Sequence, residues 1–298
     1  MSISIASADS PGNRMRAAVR QGKITPFIGV YDVFSAALAA RHYDALFLSG
    51  FGFAASFYGL PDIGFIAWSD MISYVQRIRT VLPTHHLLVD IDDGYTDPDV
   101  ACHVVSVLEA SGASGVVLED QKRPRRCGHF DGKQILDLDE YIAKLRQVLA
   151  MRRDLFVIAR TDSSDPMDIE RRVLAFGEAG ADAVLVDGPT SLDSVRRLSA
   201  KATRPFCFNQ ISGGKSPALT LTELCDAGVQ IAIYSTPCLF AAQAAIEDAM
   251  TDLKNADGSL SASRVTVKDC TRILSDSLAR RAPPQITVQT SHSGKPPP

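Results

Sequence analysis

The chain has 298 residues, 46% of them apolar and 22% charged, and its 31 Lys+Arg against 34 Asp+Glu leave a formal net charge of -3. That composition excludes a chain disordered throughout, and the even spread of basic residues excludes a basic nucleic-acid surface. No stretch reaches the ~18 apolar residues that span a bilayer, and residues 1–14 lack the apolar core of a secretory signal.

Short apolar runs recur at 26–30, 45–48, 86–91, 115–118, 155–159, 183–186, 205–208 and 230–234. Their apolarity is continuous, which predicts strands covered on both faces, as in a parallel sheet. Helical spacing follows at 71–81, behind Ser69 and Asp70 as capping residues, and at 100–110, behind Asp97 and Pro98. It returns at 141–150, 169–179, 192–200, 221–227 and 239–253. Gly112, Gly180 and Gly228 fit helix stops. Eight strand–helix repeats predict an α/β fold, a (β/α)8 TIM barrel. An open doubly wound sheet is the runner-up, because apolar runs do not reveal closure. Residues 1–13 are expected to be flexible and 14–255 to form the barrel. Residues 256–282 are expected to add C-terminal helices, with helical spacing over 264–281. The Pro/Ser/Gly-rich 283–298 is expected to be a disordered tail.

Six cysteines, at 102, 127, 207, 225, 238 and 270, are dispersed without a C-x-x-C pair. This argues against a disulfide framework or a zinc ribbon and for a reducing, cytoplasmic setting with mostly buried thiols.

Barrel active sites lie at the C-terminal strand ends. There the sequence gathers carboxylates: Asp90 and Asp92 share a face after the third strand, and Glu119 ends the fourth. Acids crowded at one mouth repel unless a cation joins them, and hard oxygen donors suit Mg²⁺ or Mn²⁺. Asp93, Asp97 and Asp120 are expected instead to cap helices or pair with lysines. Arg160 ends the fifth strand and could grip a substrate carboxylate or phosphonate bidentately. The loop after the fourth strand places Cys127 between Arg125, Arg126 and His129. That setting lowers a thiol's pKa and suits proton transfer near neutrality, and Gly128 lets the loop close as a lid. Gly214-Lys215-Ser216 superficially matches a phosphate-binding loop, but Asn209 stands where that pattern needs Gly and Pro217 follows at once. His85 and His86 begin the third strand and are expected to pack or meet solvent.

The motifs Phe47-Leu48-Ser49-Gly50, Gly59-Leu60-Pro61-Asp62-Ile63-Gly64, Asp90-Ile91-Asp92-Asp93-Gly94-Tyr95, Glu119-Asp120-Gln121, Arg126-Cys127-Gly128-His129, Ala159-Arg160-Thr161-Asp162, Asn209 and Gly213-Gly214-Lys215-Ser216-Pro217 stand in that order. A chain carrying them resembles the isocitrate lyase/phosphoenolpyruvate mutase superfamily, nearest its methylisocitrate-lyase-like and carboxyphosphonoenolpyruvate-mutase-like members. The resemblance implies a Mg²⁺-dependent barrel, a homotetramer with a C-terminal helix swapped between subunits, and a small 2-oxo or 2-hydroxy acid substrate. It implies no nucleic-acid or membrane partner. Asp90 would be the carboxylate nearest the metal, with Asp62, Asp92 and Glu119 holding its waters. Ser49, Gly50 and Phe51 would cradle the 2-oxo acid end. Arg160 would clamp a carboxylate, with Asp92 and Asp187 near the substrate. Cys127 would protonate the leaving fragment, supported by Gly128 and His129, with Glu119 and Arg160 also in the catalytic set. Asn209, Ser216 and Pro217 would bind the leaving diacid.

The chain departs from that pattern at the substrate end. Phe47 replaces the Tyr of methylisocitrate lyases, Asp187 a Glu, and Ser212 an acid, and Ser235 follows Tyr234 where Pro is usual. Phe47 leaves the base open, with Tyr31 or a metal-bound hydroxide as candidates. The activity implied is carbon–carbon cleavage of a small 2-hydroxy di- or tricarboxylate, methylisocitrate- or dimethylmalate-like, to pyruvate or glyoxylate plus a carboxylate. Alternatives are a carboxyphosphonoenolpyruvate-type P–C mutase, an oxaloacetate-type hydrolase, or a catalytically silent oligomeric barrel.

Overall fold

The computed structural model describes residues 10–95, 97–126, 132–260 and 263–281. Eight parallel strands follow the chain: β1 (Thr25–Val30), β2 (Ala45–Leu48), β3 (His86–Asp90), β4 (Gly115–Glu119), β5 (Phe156–Thr161), β6 (Ala183–Val186), β7 (Phe206–Gln210) and β8 (Ile231–Tyr234). They hydrogen-bond in chain order, and β8 returns to β1 with Thr25 opposite Ile231 and Ile28 opposite Tyr234. The sheet is closed, which removes the open-sheet alternative.

The continuous apolar runs arise because both faces of every strand are covered. Phe27, Phe47, Leu88, Val117, Ile158, Leu185, Cys207 and Ile231 point inward and pack together in the barrel lumen. Their neighbours Ile28, Leu46, Leu48, Val89, Val116 and Val157 point outward onto the helices. The period of two that separates these sets is the strand's own pleat.

The helices are α1 (Pro11–Arg20), α2 (Val33–Ala39), α3 (Gly50–Phe53), α4 (Trp68–Val81), α5 (Pro98–Ala110), α6 (Leu138–Met151), α7 (Pro166–Ala179), α8 (Leu192–Lys201), α9 (Leu221–Asp226), α10 (Pro237–Asn255) and α11 (Val267–Arg280). A π-helical turn, Ala54–Tyr58, continues α3. Helix α1 starts at Pro11, inside the segment expected to be flexible. Its Met15 and Val19 join the lumen cluster and close the barrel's lower end. Asp32 caps α2, accepting a hydrogen bond from the Ser35 amide at 2.6 Å. Helix α4 begins before the expected cap: Ala67 precedes it, and Asp70, in its first turn, accepts the Ala67 amide. Asp97 caps α5 as expected, and Gly180 ends α7 in the left-handed region.

Helix α11 packs across α2 and α4 with Ile273 buried, whereas no residue of the 19-residue α10 is buried. The tail 283–298 lies outside the described residues. The five described cysteines are all free. Only Cys102 and Cys207 are buried; Cys238 and Cys270 are partly exposed and Cys225 is exposed, so the expectation of mostly buried thiols fails for these three. Among the described residues no helix is long and apolar enough to cross a membrane.

Candidate active site

The first half of the mouth is built by β2, β3, β4 and their loops. Asp90 ends β3, and the chain then turns sharply, with Asp92 in the left-handed region at φ 51°. That turn lets the Asp92 amide donate to Asp90 Oδ1 at 3.2 Å, and aspartate tolerates such a backbone better than most residues. Gly94 has φ 72°, and a Cβ there would sit 2.9 Å from both Ala101 and Leu118, so the turn requires glycine. The Glu119 amide donates to the Asp92 carbonyl at 2.9 Å and ties the two strand ends together. Asp62 arrives from the loop before α4. Gly50 lies close by: a Cβ on it would fall 3.3 Å from Asp90 Oδ2 and 3.5 Å from Asp92 Oδ1.

Asp62, Asp90, Asp92 and Glu119 are therefore buried side by side. Burial raises the pKa of Asp90, raises that of Asp92 well above the ordinary range, and pushes Glu119 up to about 7. Into this cluster runs the guanidinium of Arg125, itself 2% exposed. It meets Asp62 Oδ1 at 2.5 Å, Glu119 Oε1 at 3.0 Å and Asp92 Oδ1 at 3.2 Å. Burial alone would lower its pKa, but Asp92, Glu119 and Asp62 outweigh burial and keep it charged. Asp92 Oδ1 and Glu119 Oε2 are buried without a hydrogen bond.

The second half is built by β5 to β8 and is a continuous hydrogen-bonded chain. Arg160 donates through Nε to Asp162 Oδ2 at 2.9 Å and through Nη2 to Asp187 Oδ2 at 3.0 Å. Asn209 donates to Asp187 Oδ1 at 2.9 Å and accepts from the Ser235 hydroxyl at 2.6 Å. Lys133 holds the other side of Asp162 at 2.9 Å. Burial works against the Asp162 carboxylate, but Arg160 and Lys133 outweigh it and hold its pKa well below the usual range. The halves meet where Arg160 Nη2 lies 3.4 Å from Glu119 Oε2.

Between the halves is a cavity of ≈ 30 Å³ lined by Phe47, Ser49, Phe51, Asp62, Asp90 and Arg125 on one side and by Arg160, Asp187, Asn209 and Ser235 on the other. Ser49, Phe51, Asp62, Asp90, Arg160, Asp187 and Asn209 thus converge as expected, with Gly50, Asp92 and Glu119 against them. Ser216 and Pro217 do not line this cavity, although Ser216 is buried. Tyr31 lines a different cavity, with Asp32, Phe53, Phe57 and Tyr74, and not this one, which removes the geometric support for it as the base. Cys127, Gly128 and His129 lie outside the described residues. Asp93 and Asp120 are structural as expected, but their side-chain partners here are arginines: Asp93 pairs with Arg123 at 2.9 Å and Asp120 with Arg172 at 3.0 Å. His85 and His86 lie with Arg14 and Asp44 at the opening strand end of β3, where burial lowers their pKa.

The sequence reading missed Arg125, Asp162 and Ser235 as parts of the site. Asp162 carried a usable signal, standing two residues from Arg160 on the same strand face. Arg125 carried none, since an arginine in a basic loop resembles a solvated one.

A donor set made only of carboxylate oxygens, two of them buried without hydrogen bonds, fits a hard divalent cation. Gly50 leaves open the space beside Asp90 and Asp92 that a side chain would fill. Among the described residues no three His, Cys, Asp or Glu side chains already close on one point as a metal cage. Arg125 is seated among the same oxygens.

A closed (β/α)8 barrel with acids on one side of its mouth and an anchored arginine on the other is the architecture of an enzyme for small anions. Residues 15–254 match the family model described as phosphoenolpyruvate phosphomutase. The 2-methylisocitrate lyase of Salmonella typhimurium is 34% identical over 83% of this chain and 86% of its own. The 2,3-dimethylmalate lyase of Eubacterium barkeri is 30% identical over 82% and 86%. A structure of oxaloacetate acetylhydrolase with 3,3-difluorooxalacetate superposes with TM-score 0.86 and 30% identity, covering 91% of this chain and 95% of that one. Phosphonopyruvate hydrolase in complex with oxalate and Mg²⁺ superposes with TM-score 0.80 and 25% identity over 91% and 97%. The chain belongs to the phosphoenolpyruvate mutase/isocitrate lyase superfamily, as its motifs suggested.

Proposed function

We propose that this protein is a divalent-cation-dependent lyase that cleaves a carbon–carbon bond in a small 2-hydroxy di- or tricarboxylate. The products are pyruvate or glyoxylate and a second carboxylate. The observation that carries this reading is the division of the mouth: four buried carboxylates, two of them with an oxygen left without a hydrogen bond, face an arginine fixed by two others. Relatives named for methylisocitrate and dimethylmalate cleavage support the substrate class.

Asp62, Asp90, Asp92 and Glu119 would hold the ion, Mg²⁺ or Mn²⁺. Bound there, it supplies positive charge to the oxygens of a 2-oxo acid. Arg160, oriented by Asp162 and Asp187, grips the substrate carboxylate and stabilises charge that develops as the bond breaks. Ser49, Gly50 and Phe51 line the 2-oxo acid end, and the absent Cβ of Gly50 lets that end approach Asp90. Asn209, steadied by Asp187 and Ser235, faces the leaving fragment. Cys127, with Gly128 and His129 on the loop after Arg126, delivers the proton that the leaving fragment takes up. Phe47 places a ring at the cavity floor, so the base that removes the hydroxyl proton comes from elsewhere.

The likeness to oxaloacetate acetylhydrolase supports a second reading, hydrolytic carbon–carbon cleavage of a 2-oxo diacid. Assays of purified protein with Mg²⁺ against methylisocitrate, dimethylmalate and oxaloacetate separate the two. Pyruvate or glyoxylate from the hydroxy acids supports the lyase. Oxalate from oxaloacetate supports the hydrolase, and phosphorus NMR changes with carboxyphosphonoenolpyruvate would support a P–C mutase. Cys127→Ser should abolish cleavage; full activity would refute its acid role.

The working state we propose is a cytoplasmic homotetramer that exchanges C-terminal helices. Helix α10 has no buried residue, and its Ile246 and Met250 are 60% and 56% exposed. Light scattering on a size-exclusion column should give four times the chain mass, and a monomer would contradict this.

A further inference from the structure

We infer that Arg172, on the outer helix α7 and away from the cavity, is a positioning residue for Arg160: it fixes the direction of the Arg160 fork through Asp120 and Asp162. This rests on the reading of Arg160 as the grip for a substrate carboxylate. Three observations carry it.

The first is a continuous line of contacts. Arg172 donates through Nη1 to Asp120 Oδ2 at 3.0 Å. The other oxygen of the same carboxylate, Oδ1, accepts the Asp162 amide at 3.0 Å. The Asp162 side chain then takes both Nε and Nη2 of Arg160, at 2.9 and 3.0 Å. Arg172, Asp120, Asp162 and Arg160 are 3, 0, 3 and 7% exposed, so water competes little for these bonds. The second is charge. Asp162 has Arg160 and Lys133 on its carboxylate. Asp120 is buried behind it, and two carboxylates buried together repel. Arg172 supplies the counter-charge that lets Asp120 stay against the Asp162 amide.

The third is how Arg172 is mounted. Its Nε donates to Asp168 Oδ2 at 2.7 Å, one turn earlier on α7, and its Nη2 to the Leu136 carbonyl at 2.8 Å. The Leu136 amide donates in turn to the Asp120 carbonyl at 2.8 Å. The planar fork is tied to three segments at once, which restrains its rotation. Asp187 holds Arg160 from the other side through Nη2 alone, whereas Asp162 takes two of its nitrogens and so sets the plane of the fork. Arg160 lines the central cavity and Asp120, Asp162 and Arg172 do not. Arg172 therefore reaches a substrate only through Arg160.

The test labels the folded protein with phenylglyoxal, which reacts with guanidinium groups that leave their acceptors, and reads the rates at Arg160 and Arg125 by mass spectrometry. Arg125 is buried among other acids, so it reports general loosening. Arg172→Met should label Arg160 about tenfold faster, the effect of losing one charged hydrogen bond, with Arg125 within about twofold of wild type. Asp120→Asn keeps an oxygen for the Asp162 amide but loses the charge that holds Arg172, and it should speed labelling of Arg160 several-fold. Asp168→Asn, which breaks only the outer contact, should leave Arg160 within about twofold. Assays with methylisocitrate, dimethylmalate and oxaloacetate add a second readout: in Arg172→Met the KM of the acid turned over should rise about tenfold, with kcat within about threefold. If Arg172→Met does not fold, Asp120→Asn decides. Labelling of Arg160 unchanged in both variants, or raised equally at Arg125, would overturn the positioning role. Faster labelling of Arg160 alone, in a protein whose wild type turns over none of the three acids, would uphold the positioning of Arg160 and overturn the lyase reading.

Discussion

On the β5–β8 side of the mouth Arg160, Asp162, Asp187 and Asn209 each hold a hydrogen-bonded partner, and Asp162 stays ionised in spite of full burial. On the β2–β4 side Asp90, Asp92 and Glu119 have raised pKa values, and one oxygen each of Asp92 and Glu119 is left without a hydrogen bond. The difference is not one of burial, since both sides are buried. It is one of completeness. A finished network orients a group that works as it stands, which suits an arginine that must meet an anion. An unfinished one is less stable, because Asp92 Oδ1 and Glu119 Oε2 have only ion-pair contacts to Arg125 and Arg160, without a hydrogen bond. Such a side is stabilised by what binds to it.

The contrast can be broken from either side. The largest effect is expected for Asp90→Ala, which removes the acid proposed to lie nearest the ion. Turnover should fall by about a thousandfold or more, and the Mg²⁺-dependent rise in melting temperature should vanish with it. Arg160→Lys keeps the charge but loses the fork, and kcat/KM should fall by about a hundredfold, because one ammonium cannot face Asp162, Asp187 and a substrate carboxylate together. Asp187→Asn keeps the contact to Asn209 but weakens the hold on Arg160. About a tenfold rise in KM and a loss of about 1–2 kcal/mol in denaturant unfolding are expected. Ser235→Ala removes one hydrogen bond at the end of the chain, with activity within a few-fold of wild type and about 1 kcal/mol less stability. If Ser235→Ala proves as damaging as Arg160→Lys, the β5–β8 side does not work as a graded support for Arg160.

All eight strands were legible because their apolarity is continuous, which follows from cover on both faces. Helix α1 was not, because its inward face is little more than Met15 and Val19 set among polar residues. Helix α2 was missed because seven residues show little periodicity, although Asp32 was a legible cap. The acids at the strand ends were legible because chemistry in this fold is confined to those ends. Arg125 was not: its burial comes from the convergence of three separate loops, a tertiary fact that the local basic composition conceals. Ser235 stood out as a departure in sequence and turns out to close the Asn209–Asp187–Arg160 chain. Ser216 was assigned through the family resemblance and Tyr31 as a candidate base, and neither lines the central cavity.

The central claim is that the under-partnered acids take up a cation that makes carbon–carbon cleavage possible. The most direct test is release of pyruvate, glyoxylate or oxalate from methylisocitrate, dimethylmalate and oxaloacetate, first with Mg²⁺ and then with EDTA in excess. The expected result is turnover of at least one acid with Mg²⁺, loss with EDTA, and recovery when Mg²⁺ is restored. Turnover unaffected by EDTA, or no turnover of any acid together with no Mg²⁺-dependent thermal shift, would contradict it.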